Sequence, residues 1–225
     1  MHIHFYGHST FSLELNGKSF LLDPFMSGNP VCQVDPMTVT CDYMLLSHGH
    51  VDHVLDAEKI AKNTNCQVIS NYEICTWIKE RGVNDICELN HGGKVDLGSC
   101  TVKYVNAVHS SVLPDGSYGG NPGGFVITDG EREIYYAGDT ALHMDMELLG
   151  RFHDIELAFL PIGDKFTMGI EDAVRAALMV NCKRVIGMHF DTFPPLEIDH
   201  DAAKKKFKEK GVELILMDPK ESLDI

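Results

Sequence analysis

No apolar stretch in this chain approaches the roughly 20 residues that a helix needs to cross a bilayer, so a helical membrane protein is not expected. The opening residues, "MHIHFYGHSTFSLEL", have neither a basic n-region nor an uninterrupted apolar h-region, and no secretory signal is read there. The seven cysteines are odd in number and contain no CxxC pair, which argues against a disulfide framework and for a reducing compartment. The expected location is the cytoplasm. Basic residues are scarce, with 19 Lys and Arg against 33 Asp and Glu and a formal charge of −14. Proteins that grip long nucleic acid displace counterions with a basic face. The single dense basic run here, "KKKFKEK" at 204–210, reads as the solvated face of a helix. Neither long nucleic acid nor a membrane is an expected partner, while self-assembly into a homo-oligomer stays open.

With 44% hydrophobic and 23% charged residues, the 225-residue chain can bury an ordinary core. Strand-like and helix-like runs alternate along it. "FSLELNGKSFLLD" reads as a hairpin turning at Asn16-Gly17, and "GGFVITDGEREIYYAG" as a second one turning at Asp129-Gly130. "DYMLLS", "CQVIS", "ICELN", "TVKYVNAVH", "IELAFLPI", "RVIGMHF" and "VELILM" read as strands. "VDHVLDAEKIAKN", "NYEICTWIKERG", "IEDAVRAALMV" and "HDAAKKKFKEKG" read as helices, with another short one after Thr140. Asn71 suits the cap of the second helix and Gly82 its stop. The pattern predicts an α/β fold in which two sheets pack together with helices outside, as one domain over 1–225. The segment 110–124, "SSVLPDGSYGGNPGG", is too long and too rich in Gly and Pro to be regular.

The chemistry concentrates in "LLSHGHVDH". His48, His50, Asp52 and His53 occupy six positions directly after a buried-strand pattern. His109, Asp139 and His189 close the runs "VKYVNAVH", "EIYYAGD" and "RVIGMH". If these strands lie side by side, their ends share one rim, where open α/β architectures gather ligands. A lone histidine at a strand end is ordinarily a packed or surface residue, but this many in this spacing points to metal. His48 and His50 are two apart and face the same way on an extended chain, whereas Asp52 and His53 follow the turn and face elsewhere. The spacing suits two ions, one on His48, His50 and His109, the other on Asp52, His53 and His189, with Asp139 bridging. Imidazole and carboxylate donors suit zinc, manganese, iron or nickel, and incomplete coordination by protein leaves room for water.

These motifs resemble those of the metallo-β-lactamase superfamily. More narrowly, "FYGHSTFSLELNGKSFLLDPF", "GNPGGFVI", "LPIGDKFTMG" and "MHFDTFP" resemble the small metal-dependent hydrolases related to ascorbate-phosphate lactonase, over nearly the whole chain. The resemblance implies an αββα sandwich of two mixed sheets flanked by helices, with a dinuclear centre at the sheet edge. It carries a metal role onto His48, His50, Asp52, His53, His109, Asp139 and His189. The secreted β-lactamases of the superfamily have cysteine where this chain has Asp139, so an antibiotic-destroying role is not implied. His8 and Asp23 also match family positions. His8 faces substrate, supports the site or is simply buried; Asp23 orients a ligand histidine or caps the turn before Pro24. Asp164, Lys165 and Thr167, just past another strand end, are candidate substrate contacts. The glycines of 119–124 make no phosphate loop, since no GK[ST] follows.

Two divalent ions lower the pKa of a shared water from about 15.7 toward 7, and the resulting hydroxide attacks a carbonyl carbon or a phosphorus atom, with Asp52 as the catalytic carboxylate that steers its proton. Two such ions outweigh Asp52, Asp139 and the hydroxide, leaving a locally cationic pocket in an acidic protein. The expected substrate is a small anion such as a phosphorylated lactone. A phosphodiesterase or nuclease on the same ions is the alternative, ahead of a non-catalytic metal-binding protein.

Overall fold

The computed structural model describes all residues, Met1–Ile225. Strands β1 (His2–Gly7), β2 (Thr10–Leu15), β3 (Lys18–Leu22), β4 (Tyr43–Leu45), β5 (Gln67–Asn71) and β6 (Ile86–Leu89) form one sheet. A second contains β7 (Lys94–Asp96), β8 (Thr101–Asn106), β9 (Gly123–Thr128), β10 (Glu133–Tyr136), β11 (Ile155–Pro161), β12 (Arg184–Met188) and β13 (Glu213–Ile215). The C-terminal β14 (Ser222–Asp224) returns to the first, giving the orders β14-β1-β2-β3-β4-β5-β6 and β13-β12-β11-β10-β9-β8-β7. Both sheets are mixed: antiparallel at the hairpins, parallel from β3 to β6 and from β10 to β13.

The layering follows from alternation along single strands. In "MLL", Leu45 points into the core shared by the two sheets, while Met44 and Leu46 point outward under α1 (Val51–Val54), α2 (Ala57–Thr64) and α3 (Tyr72–Glu80). Phe20 and Leu22 likewise face the sheet interface and Leu21 the helices. Beyond the second sheet, α4 (Asp145–Phe152), α5 (Ile170–Met179) and α6 (His200–Glu209) add Met146, Leu149, Val174 and Phe207 to the larger core. The result is the expected αββα sandwich. Truncating a buried leucine such as Leu45 to alanine should cost about 2–5 kcal/mol.

Both expected hairpins form, and Asn71 caps α3 by accepting from Ile74 N at 2.9 Å. Lys204, Lys205 and Lys208 lie on the exposed face of α6 while Phe207 is buried beneath. The continuous helix expected over 51–63 is broken between α1 and α2. Asp56 causes the break: its carboxylate accepts from Met26 N (2.7 Å), Ser27 N (2.8 Å) and the Ser27 hydroxyl, and its own N–H donates to Pro24 O. Three strands escape the sequence pattern. β7 and β14 are three-residue edge strands, too short to show a period. β1 carries His2, His4 and Tyr6 outward and buries only Ile3, Phe5 and Gly7. No helix is long and apolar enough to cross a membrane.

Candidate metal centre

Parallel neighbours end together, so the turns after β3 and β4 in one sheet and after β10, β11 and β12 in the other emerge on one edge. Asp23 and His189 sit in two of these turns, and His8 in the β1–β2 turn beside them, with φ of 42°, 57° and 58°. Left-handed backbone outside glycine costs roughly 1–3 kcal/mol per residue and persists where its surroundings hold it. Here they do: Asp23 N donates to Leu45 O (3.0 Å), and His189 N donates to His8 O (2.8 Å) across the two sheets. Two glycines permit the close approach. A Cβ on Gly163 would lie 2.0 Å from His189 O, and one on Gly138, at φ +62°, would strike Gly123 O and the Ser47 side chain.

Hydrogen bonds set which imidazole nitrogens carry protons. Asp23, fully buried, accepts from Ser47 N (2.7 Å), Ser47 Oγ (2.5 Å) and His53 Nδ1 (2.8 Å), and Tyr136 Oη stands 2.8 Å from the same Oδ2. With its own proton on Asp23, the Ser47 hydroxyl accepts from His48 Nδ1 at 2.9 Å. His48 therefore presents an unprotonated Nε2 toward the rim, and His53 turns its Nε2 toward Asp139, where a bound cation would replace the proton that Asp139 and Asp23 favour there. His50 places Nε2 3.3 Å from Ser110 Oγ and Nδ1 3.0 Å from His48 Nε2. Once Ser110 accepts the His50 proton, two nitrogen lone pairs face each other at 3.0 Å, an arrangement that a cation between them relieves.

Asp139 occupies the middle. Its Oδ2 lies 3.1 Å from His189 Nε2, 3.3 Å from His53 Nε2, 3.6 Å from His109 Nε2 and 3.9 Å from His48 Nε2. Asp139 Oδ1, His53 Nε2 and His189 Nδ1 are buried without a hydrogen-bond partner. Orphaned polar atoms of this kind are rare in folded proteins, and a carboxylate and imidazoles are the donors a divalent transition metal takes. Potential ligand atoms converge in two principal groups: His48, His50 and His109, and His8, Asp52, His53 and His189, each within 4.8 Å of one another. A third, Asp23 with His48 and His53, shares two imidazoles with them. The residues present thus fit two cations.

Burial drives the His48 imidazole well below its ordinary pKa, helped by charge on His53. It lowers His50 and His109 as well, against the pull of Asp52 and Asp139 respectively. Burial acts on His53 in the same direction, yet Asp139 and Asp23 prevail and hold it well above 6.5. For Asp139 and Asp52 burial favours the neutral acid, but His189 and His53 beside the first, and the His8 hydrogen bond and His53 beside the second, keep both ionised. Anionic carboxylates and mostly neutral imidazoles are the forms that bind cations.

Segment 110–124 is pinned rather than loose. Ser111 Oγ accepts from Gly49 N and donates to Gly119 O, Asn71 Nδ2 donates to the carbonyls of Gly119 and Asn121, and Asp115 takes Trp77 Nε1 and Arg81. The other candidates fare differently. His8 and Asp23 lie within the cluster's hydrogen-bond network. Asp164, Lys165 and Thr167 sit in the β11–α5 loop, where Asp164 and Lys165 line a separate groove of about 770 Å³ against α5 and α6. That loop touches the centre through its backbone, with Met168 N donating to Thr140 O. Sequence reasoning gave no role to Ser47, Ser110, Tyr136 or Thr192. Ser47 and Thr192 stand beside recognisable motifs and could have been weighed, whereas nothing in the local pattern marks Tyr136.

The Beta-lactamase superfamily domain matches residues 18–190. A UPF0173 metal-dependent hydrolase of Christiangramia forsetii is 50% identical over 227 residues, covering 100% of both chains, and one of Methylacidiphilum infernorum is 49% identical over 226 residues, covering 99% of both. The structure of Igni18, a novel metallo hydrolase from the archaeon Ignicoccus hospitalis, superposes with a TM-score of 0.89 at 29% identity, covering 100% of this chain and 98% of that one. The chain belongs to the beta-lactamase superfamily and, within it, to the UPF0173 metal-dependent hydrolases. It is a metal-dependent hydrolase.

Proposed function

We propose that residues 1–225 form a single hydrolase domain whose dinuclear centre opens a small anionic substrate, a lactone carrying a phosphate or similar charge. The observation that supports it most is Asp139 Oδ2 surrounded by four imidazole nitrogens, with its other oxygen orphaned. His48 Nε2, His50 Nδ1 and His109 would hold one ion, and Asp52, His53 and His189 the other, with Asp139 between them. Zinc, manganese, nickel and iron suit these donors. When bound, such a pair supplies the Lewis acidity that yields hydroxide near neutral pH and offsets negative charge developing on the substrate.

The chain's residues do the rest. Asp23 and Ser47 keep His53 and His48 in one tautomer, and Ser110 does so for His50. Asp52 is the one carboxylate of the group with substantial exposure, 34% of its side chain, so it can accept a proton from water and orient what remains. Phosphodiester cleavage is the competing chemistry, because the same groups would serve an attack on phosphorus. All seven cysteines are free, which supports a cytoplasmic setting.

The test is turnover of metal-loaded protein on a panel of lactones, thioesters and aryl phosphodiesters. Preference for lactones supports the reading, preference for phosphodiesters replaces it, and no turnover on any member with two ions bound sinks it.

A further inference from the structure

The Asp52 carboxylate has a single hydrogen-bond partner, and it comes from the turn of the β1–β2 hairpin. His8 Nε2 lies 3.2 Å from Asp52 Oδ2. An ionised carboxylate only accepts, so the proton must sit on Nε2 and Nδ1 must be an acceptor. The Thr192 hydroxyl, 3.0 Å from Nδ1, is the group placed to donate to it; its other acceptor, Phe190 O, is farther at 3.3 Å. The ring has no freedom to turn away. Its side chain is fully buried, and Phe25 and Phe193 meet it edge-on at 5.7 and 5.8 Å. The same residue governs a second member of the centre, because its carbonyl accepts from His189 N at 2.8 Å.

We propose that Thr192 and His8 form a clamp that aims the Asp52 carboxylate: the Thr192 hydroxyl fixes the His8 tautomer, and His8 Nε2–H holds Asp52 in the orientation its ion requires. The proposal rests on the dinuclear reading. His8 is on this account a positioning residue rather than a ligand, although its Nε2 lies within 4.8 Å of ligand atoms on Asp52, His53 and His189. Glutamine separates the two roles, since its amide can donate to Asp52 but is a poor ligand for a transition metal.

The experiment titrates apo-protein with zinc by calorimetry and records the visible spectrum of the cobalt-loaded protein, for wild type, His8→Ala, His8→Gln, Thr192→Val and Thr192→Ser. Partners that orient a ligand typically contribute about 10–100-fold in metal affinity. His8→Ala should therefore weaken the second ion by at least about tenfold and leave the first unchanged, while His8→Gln stays within about threefold of wild type with an unaltered cobalt spectrum. Thr192→Val should fall between them, and Thr192→Ser should restore wild-type binding. Should His8→Gln lose the second ion as fully as His8→Ala, or shift the cobalt bands, the imidazole is a ligand and the clamp is wrong. A wild type that takes two ions, with Thr192→Val and His8→Ala binding both equally well, overturns the clamp alone. A wild type that never takes a second ion overturns the dinuclear reading and the clamp together. If His8→Ala fails to fold, the Thr192 pair and His8→Gln decide.

Discussion

Asp139 Oδ2 meets His189 Nε2 at 3.1 Å, past the ends of β10 and β12, and both groups are buried. Because the same oxygen is also within 3.9 Å of His53, His109 and His48, the proposed dinuclear centre requires that removing it loosen both ions together. Asp139→Ala leaves two divalent cations facing each other with less negative charge between them, and at least one should leave. Asp139→Asn keeps the shape without the charge and should also bind more weakly, whereas His189→Ala should weaken chiefly the second ion. Zinc and manganese titration of the three variants reads this directly. Two ions at wild-type affinity in Asp139→Ala would eliminate the bridge.

Purified protein loaded with zinc or manganese should carry close to two equivalents per chain. The six candidate ligands other than Asp139 fall into two sets around it, His48, His50 and His109 and Asp52, His53 and His189, more donors together than one ion takes. Elemental analysis after dialysis checks it, and a ratio that stays at one after reconstitution removes the dinuclear centre.

Asp52→Ala should cut turnover at least about 100-fold, the usual contribution of a positioned proton-transfer group. His48, His50 and His109 remain, so the first ion should still bind. Turnover above a tenth of wild type, with both ions present, would contradict the role of Asp52.

The αββα sandwich was legible because its core strands obey a simple rule: buried runs such as "DYMLLS" and "RVIGMHF" end at the histidines, and the hairpin turns carry Asn-Gly and Asp-Gly. The ligand-type residues were legible for the same reason, since spacing within "HGHVDH" restricts which side chains share a face. What stayed hidden is contact at long sequence separation. Nothing local says that Thr192 will meet His8, or that Tyr136 will meet Asp23. Short polar edge strands such as β14 depend on a partner strand rather than on their own pattern, and the break at Asp56 depends on the backbone of Met26 and Ser27.

Asp23→Asn should destabilise the metal-free protein by a few kcal/mol, on the order of one or two buried donors left unpaired at about 1–3 kcal/mol each. The amide can replace one oxygen but turns an N–H₂ toward Ser47 or His53, both of which already donate to Asp23. Losing the His53 hydrogen bond frees that ring's tautomer, so the second ion should weaken as well. Urea unfolding of apo-protein measures the first effect and zinc titration the second. An unchanged unfolding midpoint would show that Asp23 is not the hub its contacts imply.

Acidification should destabilise the apo-protein between pH 6.5 and 4. Burial, with the charge of His189 second, lowers His8 to about 4, and burial also lowers His48, His50 and His109. In the unfolded chain these imidazoles take protons near 6.5, so below that pH the unfolded state binds more protons and gains free energy relative to the folded one. For His8 the gap between 6.5 and about 4, at about 1.36 kcal/mol per pH unit, amounts to roughly 3 kcal/mol by pH 4. His53 works the other way: raised above 6.5, it adds stability that is complete below that pH and disappears as pH rises through its folded value. Asp139 and Asp52 are depressed, so their contribution holds until pH falls below about 3.8 and does not offset the loss. Four groups against one give a net loss toward acid. Urea midpoints of chelator-treated protein at pH 7 and pH 5 should differ in that sense, and His8→Gln should show a smaller difference than wild type. A wild-type midpoint that is flat or rises on acidification would mean that these imidazoles are not held neutral.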